Sequence, residues 1–179
     1  ALDMIKDAHD KGYETTVNIM AVSTVNEQEL NEALELLANS EVGTIYVVDS
    51  FGSMYSEQIQ LLIDKYMGYA KPHGKQVGMH AHNNQQLAFA NTIEATMKGV
   101  DMLDASMAGL GRGVGNCSME LLVGFLHNPK WRLRPILKCV QQYIEPLREK
   151  LMWGYDPHYM MTGILNQHPR AAMSFNAGE

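Results

Sequence analysis

Two apolar periodicities alternate along this chain. Leu2, Ile5 and Ala8 recur at helical spacing and stop at Lys11-Gly12, a last-turn cation followed by a glycine suited to a C-cap. Residues 15–23, TTVNIMAVS, then form a short run rich in β-branched side chains. Asn26 offers a helix N-cap ahead of EQELNEALELLANS, whose apolar positions fall at Leu30, Ala33, Leu34 and Leu37. The succession recurs three times: TIYVVDS (44–50) precedes SEQIQLLIDKYMGYA, QVGMHAH (76–82) precedes QQLAFANTIEATMKG, and DMLDASMAG (101–109) precedes SMELLVGFLHN (118–128). Beyond Pro135, ILKCVQQYIEPLREKLMWG predicts one or two helices interrupted near Pro146, and the last 25 residues predict a helix and a loose tail.

Four strand-helix units in a row predict an α/β fold. The strands are near-continuous apolar runs, which suits a parallel sheet covered on both faces with right-handed crossovers. Polar residues gather at the strand ends: Ser23, Asp49-Ser50, His80 and His82, and Ser106. In parallel α/β folds the carboxyl ends of strands build the active site, so these positions are the candidates for chemistry. The chain divides into residues 1–134, which carry the units, and a helical segment and tail over 135–179.

Composition narrows the class. With 179 residues and 46% apolar content, the chain suffices for one domain with a sizeable core. A formal charge of −6 and scattered Lys and Arg argue against a nucleic-acid surface. No apolar run approaches the roughly 18 residues of a membrane span. Two cysteines, Cys117 and Cys139, without CxxC spacing and with no signal peptide predict thiols in a cytoplasmic protein. The thirteen methionines fall mostly on apolar faces and read as adaptable core filler.

In VGMHAHNNQQLAFANTIEA (77–95), His80 and His82 stand two apart on a strand. Such residues point to one side, about 6.5 to 7 Å apart along the strand, so both imidazoles can aim at a shared divalent ion. Two histidines hydrogen-bonded within a core would show the same spacing. An ion would need oxygen ligands as well; Asp49 and Asp104 stand near neighbouring strand ends, and Asn116 lies in the next loop. Asp49 suits equally a partner that orients a ligating histidine or a helix cap.

MAGLGRGVGN (107–116) places four glycines directly after a strand and before a helix. Glycine admits close backbone approach, and the helix start offers free N–H groups, so an anionic substrate group could sit against Gly109 and Gly111. Gly109, Gly111, Gly113 and Gly115 alternate, which is not the GxGxxG dinucleotide fingerprint. Arg112 is a candidate carboxylate clamp, or an exposed ion-pair partner.

HAHNNQQLAFANTIEA and DMLDASMAGLGRGVGNCSMELL together resemble the carboxyl half of the DRE-TIM metallolyases, which include 4-hydroxy-2-oxovalerate aldolase, isopropylmalate and homocitrate synthases, and hydroxymethylglutaryl-CoA lyase. The resemblance covers roughly residues 1–126. It implies a (β/α)₈ TIM barrel of which these units are strands five to eight, followed by C-terminal helices. It implies a Mn²⁺ or Mg²⁺ ion held by His80 and His82, with Asn116 close by; the glycine loop and the strand ends make Gly109, Gly111, Asp49 and Ser106 the candidate substrate contacts. The lyase acting on hydroxymethylglutaryl-CoA carries a cysteine inside the glycine loop, where this chain has Gly113 and Val114; Cys117 therefore reads as a buried thiol.

The wording DASMAGLGRGVGN is nearer the oxovalerate aldolases, and His-Asn-Asn departs from the His-Asn-Asp of the synthases. The implied reaction is cleavage of a 4-hydroxy-2-oxo acid to pyruvate and an aldehyde. The alternatives are a Claisen-type acyl-CoA synthase and a catalytically silent half-barrel. The family's first-strand arginine, aspartate and histidine base have no counterpart in this sequence, and a whole barrel needs about 250 residues. A fragment of a longer enzyme, or pairing of two copies, is expected, with weak metal binding and poor catalysis by the 179 residues alone. The aldolases also carry a tyrosine on a tail helix; the aligned position is Met161, with Tyr155 and Tyr159 nearby, and Tyr159 takes the catalytic role together with Arg112. A small-molecule oxo-acid substrate and homo-oligomerisation are expected. The aldehyde dehydrogenase that docks on the aldolase tail is a further partner which the shorter tail here argues against.

Overall fold

The computed structural model describes residues 1–127 and 130–178. Helix α1 (Leu2–Asp10) leads into strand β1 (Thr16–Ile19), and α2 (Glu27–Ala38), β2 (Thr44–Asp49), α3 (Ser56–Ala70), β3 (Gln76–Ala81), α4 (Ala88–Met97) and β4 (Met102–Leu103) follow in strict alternation. Helices α5 (Met119–Leu126), α6 (Leu133–Cys139), α7 (Arg148–Leu151), α8 (Pro157–Ile164) and α9 (Arg170–Ala177) complete the chain. All four strands are parallel and lie in sequence order, β1-β2-β3-β4, as successive crossovers of one hand require.

The helices take one face of the sheet. Ile45, Val47, Val77, Met79 and Ala81 join Leu30, Leu34, Ile59, Ile63, Tyr66 and Ala88 in a single buried cluster. Burying each such side chain fully is worth about 1.5–3 kcal/mol, so this layer rather than helix propensity holds α2 to α4. Because strand side chains alternate, Tyr46, Val48, Gly78 and His80 lie on the opposite face, outside that cluster. Among the described residues the buried helix cluster takes only one face; the second, where Tyr46 and Val48 are also buried, carries the chemistry. Asn26 caps α2 as its sequence indicates, its side chain accepting from Glu29 N at 2.9 Å.

Two strands are shorter than their apolar runs. β1 ends at Ile19 because the backbone turns left-handed at Ala21 (φ 54°), whose amide donates to Ser50 Oγ at 2.8 Å. β4 keeps only Met102 and Leu103, since Asp101 and Asp104 on either side are drawn into side-chain contacts with β3. Near Pro146 the helical path tightens into a 3₁₀ turn over Glu145–Leu147 rather than breaking, which suits a residue without an N–H. Helix α6 crosses the expected 134/135 boundary. Asn128, the last residue of the predicted fifth helix, lies outside the described residues. Met54 and Met79 are core residues as expected, but Met4, Met20, Met97 and Met152 are more than 60% exposed. No helix among the described residues is long and apolar enough to cross a membrane.

Candidate active site

The carboxyl ends of the strands converge as the parallel order dictates. On β3 and just beyond it, the rings of His80 and His82 stand with centroids 5.1 Å apart and planes at 74°. An isolated antiparallel bridge sets Asn116, the end of the glycine loop, beside His82. The Asn116 amide is fixed by its Nδ2, which donates to Leu110 O at 3.1 Å and, more weakly, to Ser106 Oγ at 3.5 Å. Its Oδ1 is buried with no partner among the described residues. A buried acceptor left unmatched is costly, and a cation is the partner that a carbonyl oxygen beside two imidazole nitrogens suits. His82 is held neutral, its pKa lowered to about 4 by burial first and then by the charges of His80 and Arg112, so its lone pair is available near neutral pH.

The carboxylates behave differently from the expected oxygen ligands. Among the described residues no group of three or more His, Cys, Asp or Glu side chains could hold a metal. Asp104, a candidate ligand by sequence, accepts instead from His80 Nδ1 at 3.0 Å. Asp49, expected against the substrate, is 1% exposed, and its two oxygens accept from Ser53 N (3.0 Å) and Met54 N (3.2 Å). It braces the loop that carries Ser50.

Burial pushes the Asp49 carboxyl up to about 6, against the pull of the Ser53, Met54 and Gly52 backbone N–H groups. Below the ordinary carboxylate value both the folded and the unfolded chain carry this proton; between there and about 6 only the unfolded chain ionises. The stability that neutral Asp49 contributes should therefore fall as pH rises through that window, by about 3 kcal/mol, and stay flat above it. Urea unfolding of the parent and of Asp49→Asn at pH 4, 5 and 7 measures this: the variant should lack that part of the slope, and parallel pH profiles would contradict it.

The glycine loop serves Asn116 and Tyr159. Added Cβ atoms at Gly109 and Gly111 would fall 2.9 Å from Asn116 O and 2.5 Å from Asn116 Nδ2, so these two glycines, expected as substrate contacts, are pressed against Asn116. A Cβ at Gly113 would stand 2.5 Å from the Tyr159 ring, which places Tyr159 of α8 against the loop at the mouth of the site. Burial, more than the nearby Asp156, raises the Tyr159 hydroxyl, which therefore stays protonated. Trp153 Nε1 donates to Ala108 O at 3.0 Å, and Gly154 N to Gly113 O at 3.1 Å, so the tail clamps the same loop. The α5 start, expected to receive a substrate anion, carries Glu120 in its first turn, and that carboxylate accepts from Ala108 N of the loop at 3.0 Å. Arg112 reaches across to Ser50 O at 3.0 Å through one nitrogen, leaving its other donors uncommitted by that bond.

Asn83 and Asn84 are turn residues. Asn83 Oδ1 accepts from Ala88 N at 3.1 Å, and buried Asn84 donates to Phe51 O at 2.9 Å. Cys117 is buried and its thiol is pushed up by that burial, in keeping with a structural role. A cavity of about 730 Å³ opens beside β4, with His80, Asp104, Ser106 and Asn116 as its polar wall and Leu103 and Trp131 among its apolar lining. That size suits a small organic acid.

Comparison with known proteins matches residues 1–142 to the HMGL-like family. The 4-hydroxy-2-oxovalerate aldolase of Geobacillus genomosp. 3 is 31% identical over 149 residues, covering 81% of this chain and 43% of that protein. The oxaloacetate decarboxylase of Mycobacterium tuberculosis is 33% identical over 125 residues, 70% of this chain and 36% of that protein. The chain thus spans less than half the length of these two relatives. Among solved structures, the N-terminal domain of a putative aldolase from Bacteroides vulgatus superposes with a TM-score of 0.78 at 26% identity, over 99% of this chain and 59% of that one. The HMG-CoA lyase of Bacillus subtilis superposes with a TM-score of 0.69 at 18% identity, over 88% and 56%, a likeness of fold.

Proposed function

The chain belongs to the HMGL-like family, and from that premise we propose that its site serves divalent-cation-assisted carbon–carbon cleavage of a 4-hydroxy-2-oxo acid to pyruvate and an aldehyde. The observation that carries this reading is the convergence of His80, His82 and the unpartnered Asn116 Oδ1 at the carboxyl ends of parallel strands. On this reading the four strands are the fifth to eighth of a (β/α)₈ barrel, and Mn²⁺ or Mg²⁺ is the cation. When bound, the cation would polarise the 2-oxo group and stabilise the enolate that cleavage releases.

The chain's own residues bind and orient. Two imidazoles and the Asn116 carbonyl offer the cation three donors, so the substrate's carboxylate and 2-oxo oxygens can fill further positions. Arg112 receives the carboxylate with the donors left free by Ser50, and its charge near His82 favours an anion there. Tyr159, protonated and lodged on Gly113, donates a hydrogen bond to the substrate's hydroxyl side. The cavity beside β4 meets this cluster at His80 and Asn116 and offers an apolar wall to the substrate's carbon chain.

Arg112→Ala should raise KM for the oxo acid by roughly 10-fold or more, the worth of a hydrogen bond to a charged group, with a smaller change in kcat. Steady-state kinetics reads this, and an unchanged KM would remove Arg112 from the carboxylate site.

Decarboxylation of oxaloacetate is a second reading, motivated by the Mycobacterium relative, because it too yields a pyruvate enolate from a 2-oxo acid. Pyruvate release from 4-hydroxy-2-oxopentanoate and from oxaloacetate, each with Mn²⁺ and after chelation, tests both in the protein that carries this chain. Cation-dependent release from the hydroxy acid without coenzyme A is expected. Release only from oxaloacetate would favour the second reading, and a requirement for acetyl-CoA would contradict both.

A further inference from the structure

We propose that Asp104 is a positioning residue for His80: it holds the ring by Nδ1 so that Nε2 faces the cation, and Tyr46, admitted by Gly78, steadies Asp104 from across the sheet. The consequence for the cation rests on the reading above; the tautomer does not.

The contact itself fixes the chemistry. His80 Nδ1 and Asp104 Oδ2 are 3.0 Å apart, and an ionised carboxylate can only accept, so the proton of the ring lies on Nδ1. A neutral imidazole with a proton on Nδ1 has its lone pair on Nε2, the atom left for a ligand. With 23% and 40% of their side chains exposed, the two partners contribute little as an ion pair. The contact acts through orientation, since a histidine ligand whose second nitrogen is tied is fixed in tautomer and rotation.

The backbone brings the two together. β3 and β4 pair Gly78 with Met102 and Met79 with Leu103, and Asp104 N donates to Met79 O at 2.9 Å, which carries the Asp104 side chain beside His80. On the other side of β3, Tyr46 is registered opposite Gly78. A Cβ at position 78 would stand 2.5 Å from the Tyr46 ring, so only a residue without a side chain lets the phenol lie across β3 towards β4. Burial first, and then the nearby Asp104 carboxylate, push the Tyr46 hydroxyl up to about 12, so a protonated phenol faces that carboxylate. Three strands thus contribute to one imidazole: Tyr46 from β2, His80 from β3 and Asp104 from the end of β4.

Long-range ¹⁵N–¹H spectra of the histidine rings test this on the protein without metal. His80 in the parent should be the Nδ1–H tautomer. Asp104→Ala should shift it towards Nε2–H, leave the circular dichroism spectrum unchanged, and weaken Mn²⁺ binding roughly 10- to 100-fold, the usual cost of losing such a partner. Tyr46→Phe should give a smaller change of the same sign. An Nε2–H tautomer in the parent, or an unchanged tautomer in Asp104→Ala, would overturn the proposal. Unchanged Mn²⁺ binding in His80→Ala, together with an Nδ1–H tautomer in the parent, would overturn the cation reading instead.

Discussion

Replacing His82 by Ala should weaken Mn²⁺ binding by roughly 100-fold or more, since even the partners behind a ligating histidine are worth 10- to 100-fold. Pyruvate release should fall with it. His82 is the member of the pair with the lowered pKa and with Arg112 nearby, and its backbone is locked on both sides. Its own amide donates to Asp49 O at 3.2 Å, and the next amide, Asn83 N, donates to Gly115 O at 2.8 Å. The side chain can therefore be removed without moving the strand, so the loss should appear in cation affinity and not in the melting temperature. Titration of free Mn²⁺ by electron paramagnetic resonance, alongside thermal unfolding, separates the two. Full Mn²⁺ affinity in a folded His82→Ala protein would mean that this imidazole is not a ligand.

Gly115→Ala should have the largest effect on stability. Gly115 adopts φ +99°, a region that L side chains rarely enter, and a Cβ there would run into the carbonyl oxygen of Gly109. The obstacle is backbone and cannot rotate away. That same carbonyl accepts from Asn116 N at 2.9 Å, so relief would shift the residue that offers the unpartnered oxygen. Backbone strain of this kind costs about 1–3 kcal/mol before the clash is counted, and a few kcal/mol lowers Tm by roughly 6–12 °C in a chain of this size. Mn²⁺ affinity should fall as well. A melting temperature within a degree or two of the parent would contradict the account of the loop.

How far the sequence reached follows from the range of each signal. The four strand-helix units were legible because apolar period and capping residues are local: Asn26 caps the helix it precedes, and Ile45, Val47, Val77 and Met79 face the helices at the spacing their pattern indicates. The histidine pair was legible for the same reason, since i and i+2 on a strand must share a side. Which face meets the helix cluster was not, because a run such as TIYVVD, buried throughout, looks alike whether one face or both meet helices.

The remaining features depend on contacts distant in sequence. Asp104 lies 24 residues from His80, and Arg112 lies 62 from Ser50. Nothing in composition distinguishes a carboxylate that ligates from one that steadies a ligand. Asp49 looked like a site residue because it ends a strand; its turn inward follows from two amides, Ser53 and Met54, that the next loop folds back onto it. The placement of Tyr159 rests on Gly113, 46 positions upstream, which leaves room for its ring. A glycine facing an aromatic ring across the fold has no one-dimensional signature.

The most direct test of the central claim is anomalous diffraction from crystals of this protein soaked in Mn²⁺. A peak within coordination distance of one nitrogen of each ring, His80 and His82, and of Asn116 Oδ1 is the expected result. A peak elsewhere with this cluster empty, or none at saturating Mn²⁺, would contradict it.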